Sequence, residues 1–214
     1  MTVAKRMTRD PIVVSGETTV PEARAILKRE KISRLPVLDH EKRLIGIVTE
    51  FDLVNACPSP ASSLDMWEMS YLISKLKVEK VMTRDPITIS EDTTVEEAAR
   101  LMADNDISGL PVMRDRSLVG IITESDLFRI FIELFGARRK GIRATVLLPE
   151  KRGELALLSQ AIADAGANIV SMATYPGENE KSVLCTFKVE GIPKEALVAA
   201  IGSCIEDLVD LRET

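Results

Sequence analysis

The apolar positions of the chain follow one pattern twice. Ala23, Ile26 and Leu27, and later Ala98, Leu101 and Met102, are spaced as one face of a helix. Each set follows a Thr-x-x-Glu box, Thr19 with Glu22 and Thr94 with Glu97, whose side chains can satisfy the orphan N–H groups of a helix start. Short β-rich runs come next, at 35–38 and 44–48 around the charged turn Asp39-His40-Glu41-Lys42, and at 110–113 and 118–122. A second helix is predicted to open at Thr49 and again at Thr123. Each unit therefore reads strand, helix, strand, strand, helix.

The residues themselves repeat as well. Met-Thr-Arg-Asp-Pro-Ile occupies 7–12 and 82–87, and Thr-Thr-Val occupies 18–20 and 93–95. Ile-Ser-Arg-Leu-Pro-Val at 32–37 matches Ile-Ser-Gly-Leu-Pro-Val at 107–112. Gly-Ile-Val-Thr-Glu-Phe-Asp-Leu at 46–53 matches Gly-Ile-Ile-Thr-Glu-Ser-Asp-Leu at 120–127. About half of the aligned positions are identical, which marks duplicated units. Between them, 58–63 reads as a loop, and 64–77 as a helix with Met66, Met69, Leu72, Ile73 and Leu76 along one side. After Gly136 a basic stretch, Arg138-Arg139-Lys140-Gly141, leads into strand, helix, strand, strand, helix, strand, the β-α-β-β-α-β order of ferredoxin-like folds. The expected parts are a first repeat (1–56), a loop and helical insert (57–77), a second repeat (78–137) and a C-terminal domain (138–214), all of mixed α/β (α+β) class.

Composition narrows the function. The 214 residues carry a net charge of −5, which disfavours direct nucleic-acid binding through a broad basic face. Cys57, Cys185 and Cys204 are few, odd in number and far apart, so neither a disulfide framework nor a zinc site is expected. With no signal-peptide or membrane-span pattern, a cytoplasmic location is expected. The single histidine, His40, lies in a charged turn, and neither P-loop, H-E-x-x-H nor G-x-S-x-G is present. No catalytic residue and no metal ligand is expected, and a binding protein is favoured over an enzyme.

The recurring M-T-x-x-P-I, L-P-V and G-h-h-T-x-x-D-L motifs resemble the CBS domain, here present in tandem. The C-terminal part resembles the ACT domain, through a strand ending at Pro149, Lys151-Arg152-Gly153-Glu154-Leu155 and Gly166-Ala167-Asn168-Ile169. The whole order, with its helical insert, is similar to the accessory proteins of bacterial acetoin-utilisation operons. The CBS resemblance implies two repeats stacked about a local twofold axis, with up to two sites for an adenosine-containing ligand: AMP, ADP, ATP, S-adenosylmethionine or NAD. It further implies a homodimer formed through the second helix of each repeat, and an unidentified enzyme that the protein regulates.

Site residues follow from the same resemblance. By spacing alone, Thr49-x-x-Asp52 and Thr123-x-x-Asp126 are helix caps. In the family this Thr meets phosphate and this Asp the ribose hydroxyls. Leu35-Pro36 and Leu110-Pro111, expected as buried edge strands, would border the adenine, with Ile12 and Ile87 over the ring. Thr8, Asp10, Thr83 and Asp85 of the repeated M-T-R-D segments complete the expected set. Arg34 stands where the second repeat has Gly109, and the resemblance implies a side chain crossing the cleft to a phosphate. Arg9, Arg84, Lys5 and Lys80 either add positive potential or are solvated. Phe128, Phe131, Ile132 and Phe135 form a stripe read first as core and second as a dimer interface. Gly153, Asn168 and Ile169 match the loop and strand edge where ACT domains bind amino acids, usually between subunits, though a role in the turn and in backbone satisfaction is preferred. The alternative function is a non-catalytic interaction module with vestigial sites; a transcriptional role ranks third.

Overall fold

The protein is represented by a computed structural model that describes residues 1–56, 66–177 and 181–214. Cys57 and the loop expected at 58–63 lie outside the described residues. The chain divides into two compact units, Met1–Leu127 and Phe128–Thr214, and the division falls inside a helix.

In the first unit each repeat opens on a 3₁₀ turn, Val3–Lys5 or Val78–Lys80. The first repeat continues through β1 (Thr8–Arg9), β2 (Val14–Ser15), α1 (Val20–Glu30), β3 (Arg34–Leu38), β4 (Leu44–Thr49) and α2 (Glu50–Asn55). Helix α3 (Met66–Lys75) follows and packs on α1, and Leu76 joins the first repeat's core. The second repeat has β5 (Thr83–Arg84), β6 (Ile89–Ser90), α4 (Val95–Asp104), β7 (Gly109–Arg114), β8 (Ser117–Thr123) and α5 (Glu124–Leu134).

The two repeats exchange their leading strands. One sheet runs β2-β3-β4-β5 and the other β1-β8-β7-β6, so β1 of the first repeat lies in the second repeat's sheet, and β5 of the second in the first's. Thr8 pairs with Ile121 and Thr83 with Ile47. Backbone bonds repeat the exchange in both directions: Val3 N–H donates to Thr93 O at 2.8 Å, and Val78 N–H to Thr18 O at 2.8 Å. The exchange explains two repeated residues. Met7 packs so closely on Gly120, and Met82 on Gly46, that a Cβ on either glycine would overlap the methionine sulfur.

Several local expectations change in three dimensions. The Leu-Pro-Val segments are not simple edge strands, since β3 lies between β2 and β4. However, β2 reaches only Val37 and Leu38, leaving the flank at 34–36 without a strand neighbour, where the missing N–H of Pro36 disrupts no ladder. The box at Thr94 is half-made. Glu97 N–H donates to Thr94 Oγ1 at 3.2 Å, but the Glu97 carboxylate turns to Arg100, at 2.6 Å. In α5 the aromatic stripe is not core: Phe128 and Phe131 are 66% and 57% exposed, while Ile130 is buried.

The second unit has β9 (Ile142–Pro149), α6 (Glu154–Asp164), β10 (Asn168–Pro176), β11 (Ser182–Glu190), α7 (Lys194–Ile201) and β12 (Asp207–Glu213). The strand order β10-β11-β9-β12, antiparallel throughout, is ferredoxin-like. Helix α7 ends at Ile201, capped by Gly202, a weak helix former. Leu158, Ile162, Leu197 and Ile201 of the helices meet Val146, Leu148, Phe187 and Val189 of the sheet. Burying each such side chain is worth about 1.5–3 kcal/mol. Lys188, 4% exposed, donates to Gly136 O at 3.0 Å and to Arg139 O at 2.8 Å, which ties 136–139 to this sheet. Among the described residues, no helix is long and apolar enough to cross a membrane.

Candidate functional site

The candidate site begins where β4 and β8 end. Thr49 caps α2: its N–H and its hydroxyl donate to Asp52 Oδ2 at 2.8 and 2.7 Å, and Asp52 N–H donates to Thr49 Oγ1 at 3.2 Å. At the equivalent place, Thr123 N–H and hydroxyl donate to Asp126 Oδ2 at 2.9 and 2.8 Å. A carboxylate offers about four acceptor positions over its two oxygens, so this capping uses only part of its capacity. Capping and ligand contact are therefore compatible in one Asp.

The neighbouring strands add the walls. Arg34 pairs with Thr49 and Leu35 with Val48; Gly109 pairs with Thr123 and Leu110 with Ile122. Leu35, Pro36, Leu110 and Pro111 are buried beside the open strand flank. Ile12 and Ile87 precede β2 and β6 by two residues, just before the parallel pairing with β3 and β7 begins. Ile12 and Ile87 are each 40% exposed, an apolar surface at both equivalent places. The strand registers and caps thus bring Leu35, Pro36, Thr49 and Asp52 into one constellation, and Leu110, Pro111, Thr123 and Asp126 into the other.

The M-T-R-D residues are placed differently. Thr8 and Thr83 are exposed on the exchanged strands, and antiparallel pairing carries Asp10 and Asp85 away from Thr123 and Thr49. Asp10 and Asp85 adopt positive φ, 46° and 45°, where the chain turns from one sheet to the other. Arg9 and Arg84 donate to the carbonyls of Ala4 and Glu79, at 2.9 and 3.1 Å, and so fasten the 3₁₀ turns. His40 is exposed in its turn, where Asp39 Oδ1 accepts N–H bonds from Glu41 and Arg43 at 2.9 and 2.8 Å.

Arg34 crosses from β3 to the second repeat. Its Nη2 donates to Ser108 Oγ at 2.9 Å and approaches Ser33 Oγ at 3.4 Å. A Cβ on Gly109 would overlap Arg34 Nη1. Burial pulls the guanidinium's pKa down, and the carboxylates of Glu124 and Asp126 push it back up. Ser33, Ser108 and Glu124 escaped the residue-by-residue reading. The signal was present, since Ile-Ser precedes both Arg34-Leu-Pro-Val and Gly109-Leu-Pro-Val.

In the second unit, Gly153 caps α6 with φ 98°, and nothing stands within 4 Å of a Cβ placed on it. Asn168 donates to Glu190 Oε1 at 3.0 Å, and Ile169 packs on the core. Gly153 follows the Pro149 end of the sheet, whereas Asn168 and Ile169 stand at the Ile142 end, so one chain does not bring them together. Among the described residues, no group of three or more His, Cys, Asp or Glu could hold a metal ion.

Comparison with known proteins follows the same outline. The chain is 33% identical over 126 residues to L-aspartate semialdehyde sulfurtransferase of Methanocaldococcus jannaschii, matching 58% of this chain but only 22% of that enzyme. It is 33% identical over 133 residues to a CBS domain-containing protein of Dictyostelium discoideum, matching 62% of this chain and 92% of that one. Three solved structures are similar. The CBS domain pair of protein MJ0100, in complex with 5′-methylthioadenosine and S-adenosyl-L-methionine, has a TM-score of 0.52 at 31% identity over 65% of this chain and 98% of that one. An acetoin utilization protein (AcuB) from Vibrio cholerae gives 0.54 at 30% identity over 64% and 95%. CBSX2 in complex with AMP gives 0.51 at 33% identity over 64% and 98%. The CBS domain family matches residues 3–59 and 78–133, more than half of the sequence, and the chain belongs to that family as a tandem CBS pair.

Proposed function

We propose that the chain is a regulatory sensor of an adenosine-containing ligand, without catalytic activity of its own, acting in the cytoplasm on a partner enzyme. The observation that carries this reading is the duplicated constellation. Two equivalent carboxylates, Asp52 and Asp126, stand at helix starts, and each repeat also exposes an aliphatic side chain, Ile12 or Ile87, which is proposed to cover the adenine. A carboxylate suits a ribose diol, the N–H groups of a helix start suit phosphate, and an aliphatic face suits adenine. Thr8, Asp10, Thr83 and Asp85 are proposed as the rim of these sites. The ligands of the MJ0100 pair and of CBSX2 support the class and leave AMP, ADP, ATP, S-adenosylmethionine and NAD as candidates. Similarity to the Vibrio cholerae protein directs the search for the regulated enzyme to acetoin and acetate metabolism.

The C-terminal unit is proposed as an ACT-type module that serves association, with Gly153, Asn168 and Ile169 forming an amino-acid site only if two chains supply its halves. A second reading, an interaction module with vestigial nucleotide sites, is favoured by the exposed Phe51, Phe128 and Phe131 on α2 and α5. A thermal-shift series with the five adenosine compounds at millimolar concentration separates the two. The sensor reading expects stabilisation of about 2.7 kcal/mol at a hundred times the Kd; the absence of any rise leaves the interaction module.

A further inference from the structure

We infer that the two repeats share the phosphate-binding cation Arg34, so that one chain binds a first phosphorylated adenine nucleotide more tightly than a second while accepting two neutral nucleosides alike. This rests on the nucleotide reading above and adds a stoichiometry to it.

Ser33 and Ser108 are equivalent residues of the two repeats, and both hydroxyls face Arg34 Nη2, at 3.4 and 2.9 Å. A group gripped by equivalent residues of related repeats stands at the axis relating them. The backbone of Arg34 is paired with Thr49 of one constellation, while its head faces Glu124 and Asp126 of the other. Its side chain therefore spans from the strand beside the first constellation to the second. The second repeat supplies no counterpart, because Gly109 has no side chain and the guanidinium fills the space one would need. The other repeated arginines, Arg9 and Arg84, are turned to the carbonyls of Ala4 and Glu79.

A phosphate drawn to either constellation takes the guanidinium in a charge-assisted contact. A second phosphate then finds Arg34 already engaged. A neutral nucleoside makes no such demand, and the two constellations fill independently.

Calorimetry of the full chain with adenosine and with AMP tests this. Adenosine is expected to saturate at two per chain. AMP should show one strong site, with the second weaker by about tenfold to a hundredfold, the worth of a lost charged hydrogen bond. Arg34→Met should weaken the strong AMP site by a similar factor and adenosine by less than about twofold. The exchange variant Arg34→Gly/Gly109→Arg moves the cation to the other repeat and should restore one strong AMP site. Two equal AMP sites, adenosine stopping at one per chain, or equal losses for both ligands in Arg34→Met would overturn the sharing alone. If neither ligand binds, the nucleotide reading falls and this inference falls with it.

Discussion

Arg34 and Gly109 hold the same place in the two repeats, and the guanidinium of the first fills the volume that a side chain on the second would need. Because the obstructing atoms are the end of a long flexible side chain, Gly109→Ala should be tolerated with a stability loss below about 1 kcal/mol, less than overpacking usually costs. The displaced guanidinium should nevertheless lose its bond to Ser108. Thermal melts are expected to change little, while AMP affinity falls severalfold. A large loss of stability would show that Arg34 is held rigidly.

Asp52→Ala and Asp126→Ala should each do two things. Loss of the carboxylate from the helix start costs about 1 kcal/mol of stability. Loss of the charged acceptor weakens adenosine or AMP binding by about tenfold to a hundredfold at one site. Denaturant melts read the first effect and calorimetry the second. Normal affinity in both variants would reduce the T-x-x-D motifs to caps.

Gly46→Ala and Gly120→Ala test the exchanged strands. The added methyl would overlap the sulfur of Met82 or Met7, which must then shift within a packed core. Each substitution should destabilise the first unit by about 1–3 kcal/mol. Shortening the facing residue, as in Met82→Ala with Gly46→Ala, should restore less than the full loss, because a cavity replaces the strain. Additive losses in a double-mutant cycle would contradict the contact.

Phe51 and Phe128 are 74% and 66% exposed, one on each repeat's second helix. If a homodimer covers them, Phe51→Ser and Phe128→Ser should each weaken it by about 2 kcal/mol or more, roughly thirtyfold in the dissociation constant. Light scattering over a dilution series measures this. A chain that is already monomeric, or variants that dissociate no more readily, would exclude these helices as the interface.

Local chemistry was legible in the sequence. The boxes at Thr19, Thr49 and Thr123 specify their own helix starts within four residues, and the helices begin there. The strand order of the second unit follows from its βαββαβ pattern. What stayed hidden depends on distant partners. Two-residue strands such as Thr8–Arg9 carry no periodicity, so nothing in them announces that they join the other repeat's sheet. The competition of Arg100 for Glu97 lies outside the capping pattern, and helical spacing alone does not say that Phe128 and Phe131 face outward. Sequence likewise does not say that Gly153 and Asn168 fall at opposite ends of one sheet.

The exchange of leading strands means that neither repeat is complete alone, and the same contacts could in principle be made by two identical half-chains. In such a pair, whatever residue occupies the place beside the axis must occur twice. Two arginines would collide, and two glycines would leave no cation. Joining the halves covalently replaces a concentration-dependent encounter with an internal one, but it also removes the demand for identity. Only in a single chain can one half carry Arg34 and the other make room for it with Gly109.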